Sequence, residues 1–255
     1  MRVTSIQLEI KERSKEENLE SVLRLLSEAP ESDLILLPEL WPCGYFSFDR
    51  YRRDSEPVDG PTVSALQEKA AELETYVLMG SIVLRQGEEL FNATLLLDPR
   101  GRIIAEYRKI HLFGYQSEER KLLSPGKEAV VVDTPWGKGG ITTCYDLRFP
   151  ELYRKMVDKG AVFFMIPSAW PKLRLDAWIL FNRARAHENL AYVFSCNCAG
   201  SSAGKPFAGH SMIVDPLGRV VAEGGEKGCI VSSEIQPGFV KAVREDFSAL
   251  DDRVF

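Results

Sequence analysis

The sequence contains few histidines, few cysteines and no long apolar run. Three of its 255 residues are histidine and five are cysteine. No apolar run reaches the roughly 18 residues that a membrane-spanning helix needs. The first residues, MRVTSIQLEIKERSKEE, show neither the apolar segment nor the small-residue cleavage site of a secretory signal. These absences predict a cytoplasmic protein with no membrane partner.

The cysteines lack the even number and the regular spacing of a disulfide framework. A chain of this length also builds a sufficient apolar core without disulfides, so reduced thiols are expected. Cys196 and Cys198 form a Cys-x-Cys pair, but no further cluster of metal ligands accompanies it. We therefore predict no metal site.

Basic residues are neither in excess nor clustered. The formal net charge is −5, with 32 lysines and arginines against 37 acidic residues. A nucleic-acid partner is not expected, because the phosphate backbone is bound by clustered positive charge. The length allows one large α/β domain, and no linker-like stretch divides the chain. We therefore predict a single domain over residues 1–255.

Apolar, β-branched runs alternate with helical patterns along the chain. Runs such as 34–37 and 161–166 are continuous, which predicts strands that are covered on both faces. Strands that alternate with helices imply an α/β sandwich. Helices are predicted at 18–26, 61–75, 150–159 and 175–189, two of them with proline at the first position.

Two stretches, LLLDPRGRIIAEY at 95–107 and MIVDPLGRVVAEG at 212–224, match nearly position for position. Each reads as a strand, an Asp-Pro-x-Gly turn and a second strand, because proline fixes φ and glycine accepts a positive φ. Two unrelated turns would explain the shared turn residues, but the flanking residues match as well. We therefore expect pseudo-symmetric halves that each contribute such a hairpin.

Polar residues follow three of the predicted strands, at the positions where layered α/β proteins concentrate reactive groups. Glu39, Lys109 and Cys144 each follow an apolar run and precede apolar or aromatic neighbours. Taken singly, they fit a hydrogen-bonded loop acid, a solvated lysine and a small core residue. Taken together, a glutamate and a lysine would neutralise each other, and a neighbouring cation would favour the thiolate.

Three histidines offer an alternative base for a nucleophilic cysteine. His111, His187 and His210 could each form a Cys-His dyad if the fold placed one beside the thiol. None of them occurs in a motif that identifies a partner of Cys144. A Cys-His amidotransferase-like enzyme is therefore kept as an alternative interpretation.

The three polar positions occur within longer motifs. LLPELW at 36–41, YRKIHLF at 107–113 and CYDLRFPELYR at 144–154 follow in that order. In this they resemble the nitrilase superfamily of carbon–nitrogen hydrolases, and the resemblance extends over the whole chain. It implies a four-layer αββα sandwich with pseudo-symmetric halves and a catalytic triad of Glu39, Lys109 and Cys144. It also implies a second glutamate before the Ser-Pro-Gly turn, at Glu119, with Glu118 as a solvated neighbour.

The resemblance assigns a role to each residue. Glu39 is expected to be the general base, which takes the thiol proton of Cys144 and later donates it to the leaving amine. Lys109 and the backbone N–H of Tyr145 are expected to stabilise the tetrahedral oxyanion. The product would be ammonia or an amine and a thioester, which water then hydrolyses. Neither a metal nor an organic cofactor is implied.

The residues after the cysteine point to an amidase. Nitrilases of this superfamily usually continue with Trp-Glu-Asn, whereas this chain continues with Tyr-Asp-Leu-Arg-Phe. That form is similar to omega-amidases and to enzymes acting on 2-oxoglutaramate or deaminated glutathione. Arg148 is expected either to bind a substrate carboxylate or to brace the turn through Asp146 or Glu151. The other predicted substrate-binding residues lie in loops beside the motifs: Tyr45, Phe46, Phe113, Tyr115, Ala169 and Trp170.

The predicted function is hydrolysis of the terminal carboxamide of a small carboxylate-bearing substrate, with release of ammonia. The alternatives are an N-carbamoyl acid hydrolase, a deaminated-glutathione amidase, the Cys-His enzyme and an inactive binding member. The resemblance also implies a homodimer or a larger homo-oligomer. Its contacts would come from the helices after the cysteine motif and from the segment 170–190, with a C-terminal tail at about 245–255 crossing to the partner subunit.

Overall fold

Two six-stranded sheets form the centre of the structure, a computed structural model that describes residues 1–254. The strands are β1 (Arg2–Gln7), β2 (Glu9–Ile10), β3 (Leu34–Leu36), β4 (Tyr76–Gln86), β5 (Glu89–Leu97), β6 (Ile103–Arg108), β7 (Val130–Thr134), β8 (Gly137–Ile141), β9 (Ala161–Ser168), β10 (Tyr192–Asn197), β11 (Ala199–Ser202), β12 (Lys205–Pro206), β13 (Met212–Val214), β14 (Val220–Glu223) and β15 (Cys229–Glu234). The helices are α1 (Lys15–Glu28), α2 (Tyr51–Asp54), α3 (Pro61–Glu72), α4 (Glu119–Leu122), α5 (Pro150–Asp158), α6 (Leu175–Asn189) and α7 (Gly238–Asp246), with 3-10 turns at Phe48–Arg50, Cys144–Arg148 and Lys172–Arg174.

The two large sheets repeat one arrangement. The first has the order β15-β1-β3-β4-β5-β6 and the second the order β7-β8-β9-β10-β13-β14. In each, three neighbouring strands run parallel, an antiparallel hairpin extends one edge and a single antiparallel strand closes the other. The expected pseudo-symmetric αββα sandwich is confirmed. A small sheet of β12, β11 and β2 lies outside this repeat.

Alternate residues of a central strand enter different layers of the core. In β3, Leu34 and Leu36 pack between the two sheets, whereas Ile35 and the following Leu37 pack among residues of α1 and α3. Successive strand side chains point to opposite faces, so a strand buried on both faces must be apolar throughout. This explains the continuous run at 34–37. Helices α5 and α6 cover the outer face of the second sheet in the same way.

The helices begin where the sequence supplies caps. The Ser14 side chain accepts a hydrogen bond from Glu17 N, and the Glu17 carboxylate accepts one from Ser14 N, so α1 opens with a capping box. That box starts α1 at Lys15, ahead of the predicted boundary at residue 18. Helices α3 and α5 open with proline at the first position, as predicted, and α6 has the predicted bounds.

The two matching stretches form matching hairpins. In β5–β6 the Asp98 carboxylate accepts hydrogen bonds from the backbone N–H groups of Arg100 and Arg102, each at 2.9 Å. In β13–β14 the Asp215 carboxylate accepts two equivalent bonds, also at 2.9 Å each. The turn therefore depends on aspartate as much as on proline and glycine. The prediction of one such hairpin in each half is confirmed.

The C-terminal segment packs against its own chain. Arg253 forms an ion pair with Asp158 at the end of α5, at 2.8 Å. The predicted tail at 245–255 includes Phe255, which lies outside the described residues. Its crossing to a partner subunit stays a prediction, as does the cytoplasmic location. No helix within residues 1–254 is both long and apolar enough to span a membrane.

A bulge in β4 supports the loop that carries Glu39. The register between β4 and β5 shifts between Leu78 and Ser81, and Gly80 sits in the bulge with a φ of +69°. A Cβ on Gly80 would lie 2.0 Å from the carbonyl oxygen of Pro38. Ser81 N donates to that same oxygen. Only glycine therefore allows the backbone of the bulge to approach the residue before Glu39 this closely.

We expect Gly80→Ala to destabilise the protein more than Gly87→Ala does. Both glycines have a positive φ, but a Cβ on Gly87 would meet nothing within 4 Å. Gly87→Ala should therefore lose only the conformational term, about 1–2 kcal/mol. Gly80→Ala should lose about 1–3 kcal/mol more through the clash with Pro38. Urea denaturation of both variants measures the difference, and equal losses would contradict the close approach.

Candidate active site

Three strand ends bring Glu39, Lys109 and Cys144 to one place between the sheets. Glu39 follows β3 and Lys109 follows β6, both in the first sheet, whereas Cys144 follows β8 in the second. The side chains of Glu39 and Lys109 are fully buried, and Cys144 is 7% exposed. The three residues singled out from the sequence therefore meet in one buried cluster. The nucleophile comes from one half of the chain and its charged neighbours come from the other.

The Lys109 ammonium lies between two carboxylates. Its Nζ is 2.7 Å from Glu39 Oε1 and 2.9 and 3.0 Å from the two oxygens of Glu119. Glu119 is fully buried as well. A buried ammonium is costly unless its hydrogen bonds are satisfied by partners of opposite charge. Two carboxylates around one ammonium leave the cluster with one formal negative charge.

The structure distinguishes Glu119 from its neighbour. Glu119 also accepts hydrogen bonds from the Tyr45 hydroxyl at 3.0 Å and from Phe113 N at 2.7 Å. Glu118 is half exposed and pairs with Lys121 on the surface. Of these two glutamates, only Glu119 therefore contacts the cluster, and its bonds fix the place of Lys109.

Asn92 joins the two carboxylates and was missed in the sequence. Its Nδ2 donates to Glu39 Oε1 and to Glu119 Oε1, at 2.8 Å each. The opposite orientation of the amide would direct Oδ1 at two carboxylates, so the contacts fix this one. Asn92 lies in β5, inside the apolar run Leu90–Leu97 that otherwise reads as an ordinary buried strand. The sequence did contain one signal of this role, an amide side chain at a strand position that is expected to be fully buried.

Burial and neighbouring charges shift the pKa values of Glu39, Lys109 and Cys144. Burial raises the pKa of Glu39 above its ordinary value, although the charge of Lys109 opposes the shift. Burial also favours a neutral Lys109, but Glu119 and Glu39 outweigh it and raise the Lys109 pKa well above its usual value. Burial and then the charge of Glu39 raise the pKa of the Cys144 thiol. The cluster therefore holds a permanent cation, a strengthened base and a protonated thiol that the base can reach.

Cys144 sits on a strained turn. Its φ is +49°, an unusual value for a residue other than glycine, and it opens the 3-10 turn Cys144–Arg148. The Asp146 carboxylate holds this turn by accepting from Thr143 N, from the Tyr107 hydroxyl, and from N and Nδ1 of His111. These bonds come from both sheets, so the turn is fixed relative to Lys109 as well as to β8.

The histidines have other partners. His111 bonds Asp146 and stacks on Phe149 with the ring centroids 3.7 Å apart. His210 bonds Glu223 at 2.6 Å, and His187 lies in α6. Within residues 1–254, no histidine side chain forms a hydrogen bond with Cys144. The geometry therefore favours Glu39 over histidine as the partner of the thiol.

A narrow cavity opens beside Cys144. The predicted residues Tyr45, Phe46, Phe113, Arg148, Ala169 and Trp170 line it. Tyr145, Pro171 and Arg174 complete the wall. Ala169 N also donates to Glu39 Oε2 at 2.9 Å, which ties the cavity wall to the base.

Tyr115 was predicted to bind substrate, but the structure places it outside this cavity. Its side chain is 62% exposed, and its ring packs beside the Arg174 guanidinium, 5.3 Å from the centroid. The prediction followed from the proximity of Tyr115 to the lysine motif. The chain exposes Tyr115 before α4 returns Glu119 to the cluster, and sequence proximity does not reveal that path.

Arg148 does not brace the turn through an acid. Asp146 is engaged by other donors, and no carboxylate of residues 1–254 lies within 4.0 Å of the Arg148 guanidinium. The guanidinium instead lies over the rings of Trp170 and Phe181, at 5.2 and 5.1 Å from their centroids. The alternative in which Arg148 pairs with Asp146 or Glu151 is therefore wrong, and its charge is left facing the cavity.

Comparison with known proteins finds similarity over nearly the whole chain. The carbon-nitrogen hydrolase family profile matches residues 2–245. The chain is 37% identical to a 2-oxoglutaramate amidase of Bacillus subtilis, over 98% of this chain and 96% of that protein. It is 32% identical to the omega-amidase NIT3 of Saccharomyces cerevisiae, over 100% and 94% of the two chains.

Solved structures show the same fold. The crystal structure of Saccharomyces cerevisiae Nit3, described as a member of the nitrilase superfamily, aligns with a TM-score of 0.90 at 31% identity, over 100% of this chain and 97% of that one. A carbon–nitrogen hydrolase superfamily protein of Xanthomonas campestris, with an arsenic adduct in its active site, aligns with a TM-score of 0.93 at 31% identity, over 100% and 98%.

We expect Lys109→Met to lower the free energy of unfolding by about 3–5 kcal/mol at pH 7, because two buried carboxylates lose their cation. The deficit should shrink as the pH falls. Without Lys109 the pKa of Glu39 rises further above its unfolded value, so the folded variant binds protons more tightly than the unfolded chain. Urea denaturation at pH 7 and pH 5 measures both effects.

Lys121→Met is the matched control. It removes the same side chain from a surface pair with Glu118, in which the two side chains are 72% and 50% exposed. The loss there should be about 0.5 kcal/mol or less. Equal losses in the two variants, or a Lys109→Met deficit that does not vary with pH, would contradict the buried charge cluster.

Proposed function

This chain belongs to the carbon-nitrogen hydrolase family, and from that premise we propose that it is an omega-amidase. Its substrate would be a small acid with a terminal carboxamide, which it hydrolyses with release of ammonia. One observation carries this proposal. The buried thiol of Cys144 lies beside a carboxylate and an ammonium that stays charged. It borders a cavity in which the two charged lining residues are both arginines.

The first half of the reaction acylates the thiol. Glu39 takes the proton of Cys144 as the sulfur attacks the amide carbon, and the carbonyl oxygen becomes an oxyanion. Lys109 and the backbone N–H of Tyr145 stabilise that charge, each donor being worth about 3–4 kcal/mol of barrier. The oxyanion then collapses, the carbon–nitrogen bond breaks, and Glu39 returns its proton to the departing nitrogen as ammonia leaves.

The second half releases the acid. Glu39 takes a proton from water, the hydroxyl oxygen attacks the thioester carbon, and the same donors stabilise the second oxyanion. The carbon–sulfur bond then breaks, and Glu39 returns the proton to the sulfur. One water is consumed, and the products are ammonia and a carboxylic acid. Throughout the cycle Glu39 is the group that carries the proton between the sulfur, the departing nitrogen and water.

Glu119 acts through its neighbours in this scheme. Its two oxygens accept from Lys109, Asn92, Tyr45 and Phe113 N, so it is a poor candidate for the proton carrier. Its negative charge keeps Lys109 protonated and raises the pKa of Glu39. We assign it the role of a positioning residue that strengthens the base.

Arg148 supplies the selectivity for an acid. It lines the cavity that contains Cys144, and it has no acidic partner within residues 1–254. A guanidinium binds a carboxylate through two parallel hydrogen bonds. An N-carbamoyl acid and deaminated glutathione also carry a carboxylate, so Arg148 is compatible with both alternatives. The products separate them, because a carbamoyl compound yields carbon dioxide as well as ammonia.

We also propose a homodimer or larger homo-oligomer. Leu173 is 93% exposed and Leu180 is 63% exposed, and both lie in the segment that the family resemblance implicates in subunit contacts. Large apolar side chains that are exposed in one segment favour a protein partner. Sedimentation equilibrium of Leu180→Asp should show a shift to smaller species than the parent protein, and an unchanged mass would count against this contact.

Intact-mass spectrometry tests the activity and the nucleophile together. Incubated with ω-amides, carbamoyl acids and nitriles, the protein should gain the mass of an acyl group only with the ω-amides, and Cys144→Ser should show no thioester. Cys43→Ser, which removes another buried cysteine, is the control and should keep the adduct. A panel in which only nitriles or only carbamoyl acids react would overturn the omega-amidase proposal.

We expect kcat/KM to rise with pH through a pKa above 4.5, because Glu39 must be ionised to act as the base and its pKa is raised from that value. Glu119→Gln should move this acid limb to lower pH, since it removes a charge that raises the pKa of Glu39. Glu118→Gln removes a neighbouring acid from the surface and should leave the limb in place. A limb that shifts equally in both variants would disprove the coupling.

A further inference from the structure

The residue that follows Glu39 has an unusual backbone conformation. Leu40 has a φ of +46°, which lies in the left-handed region, and its side chain is fully buried. This conformation costs a residue that carries a Cβ about 1–2 kcal/mol. Such a residue keeps it only where its surroundings hold the backbone in place. The contacts of Leu40 therefore decide the path of the chain at the general base.

Ser81 in β4 supplies one of these contacts. Its hydroxyl oxygen accepts a hydrogen bond from Leu40 N at 3.0 Å, and its side chain is fully buried. Ser81 N donates to the carbonyl oxygen of Pro38 at 3.2 Å. A single residue of the neighbouring strand therefore bonds the peptide groups on both sides of Glu39.

These two bonds continue the ladder between β3 and β4 with one change. Leu36 lies opposite Leu78 in the parallel register, and the same register continued would bring Glu39 opposite Ser81. In a regular parallel ladder, a main-chain carbonyl accepts each bond from the neighbouring strand. Here a hydroxyl accepts instead, so the chain can turn at Leu40 while its buried N–H stays satisfied.

The turn at Leu40 determines where the Glu39 carboxylate lies. Leu40 packs in the core under α1 and α3, whereas Glu39 enters the cluster between the sheets. There its two oxygens accept from Lys109 Nζ at 2.7 Å and from Ala169 N at 2.9 Å. Glu39 must exchange protons with the sulfur, the departing nitrogen and water in turn. A misplacement of about 1 Å in such a group can cost about 100-fold in rate.

We propose that Ser81 is a positioning residue for the general base, whose hydroxyl holds the turn at Leu40 and so fixes the Glu39 carboxylate relative to Lys109 and Cys144. Without this acceptor the buried Leu40 N–H loses its partner, and the loop shifts toward a conformation that satisfies it. The proposal rests on the role of Glu39 in the proposed function. Ser81 lies inside the apolar run of β4 and was not singled out in the sequence.

Ser81→Ala should change turnover and leave substrate binding intact. Glutaramate, which carries a carboxylate and a terminal amide, is the test substrate. We expect kcat to fall about 10- to 100-fold, because the base is misplaced for proton transfer. KM should stay within about 3-fold, since Arg148 and the cavity wall are unchanged. Ser81→Thr keeps the hydroxyl and should retain kcat within about 3-fold of the parent protein.

Ser195→Ala is the matched control. Ser195 is also fully buried, and its hydroxyl bonds the main chain of Met212 in the second sheet, not the loop of Glu39. Each alanine variant should lose about 1–3 kcal/mol of stability, but Ser195→Ala should keep the kcat of the parent protein. The proposal fails if both alanine variants lose kcat by the same factor. It also fails if Ser81→Thr loses as much as Ser81→Ala.

The crystal structure of Ser81→Ala separates this proposal from the omega-amidase function. It should show Leu40 with a negative φ and Glu39 Oε1 more than about 3.5 Å from Lys109 Nζ, beyond hydrogen-bond distance. If the parent protein hydrolyses no ω-amide but the carboxylate moves in this way, the function is wrong and the positioning role stands. If the parent protein hydrolyses glutaramate and the variant keeps the φ of +46° and the contact of 2.7 Å, the function stands and the role of Ser81 is refuted.

Discussion

A fully buried ammonium at Lys109 is the constraint on which the rest of the site depends. An unpaired charge in that position would be too costly to keep, so the fold must deliver acids to it from elsewhere in the chain. Glu39 arrives from the end of β3 and Glu119 from α4, and Asn92 in β5 fastens the two carboxylates together. The excess negative charge makes the base stronger than an ordinary glutamate. The chemistry follows from how the fold stabilises one lysine.

The position of the Cys144 thiol depends on a different set of contacts. Cys144 occupies a strained backbone conformation, and the Asp146 carboxylate offsets the strain with hydrogen bonds to Tyr107, His111 and Thr143. The turn that exposes the nucleophile is thus fastened to the strand that delivers Lys109. Asp146 therefore fixes the position of the Cys144 sulfur relative to the Lys109 ammonium, although Asp146 itself takes no part in the proposed chemistry.

The sequence predicts the polar residues that end an apolar run, and it misses those that lie within a strand or in a loop. Glu39, Lys109 and Cys144 stand out because each is a polar residue at the end of an apolar run, and the structure brings them together. The matching hairpins were predictable because aspartate, proline and glycine have fixed backbone preferences. Asn92 was missed because it lies inside a buried strand. The positions of the Arg174 and Tyr115 side chains depend on the paths of two loops, and local backbone preferences do not predict those paths.

The division of the site between the two sheets has a consequence for how activity arises. The first half of the chain contains Glu39, Asn92, Lys109 and Glu119, and the second half adds the thiol and the two arginines. A nascent chain that has finished only the first half would hold an acid–base cluster with nothing to attack a substrate. Hydrolysis therefore begins only when the two sheets have packed against each other, so activity indicates that both halves of the chain have been synthesised and folded.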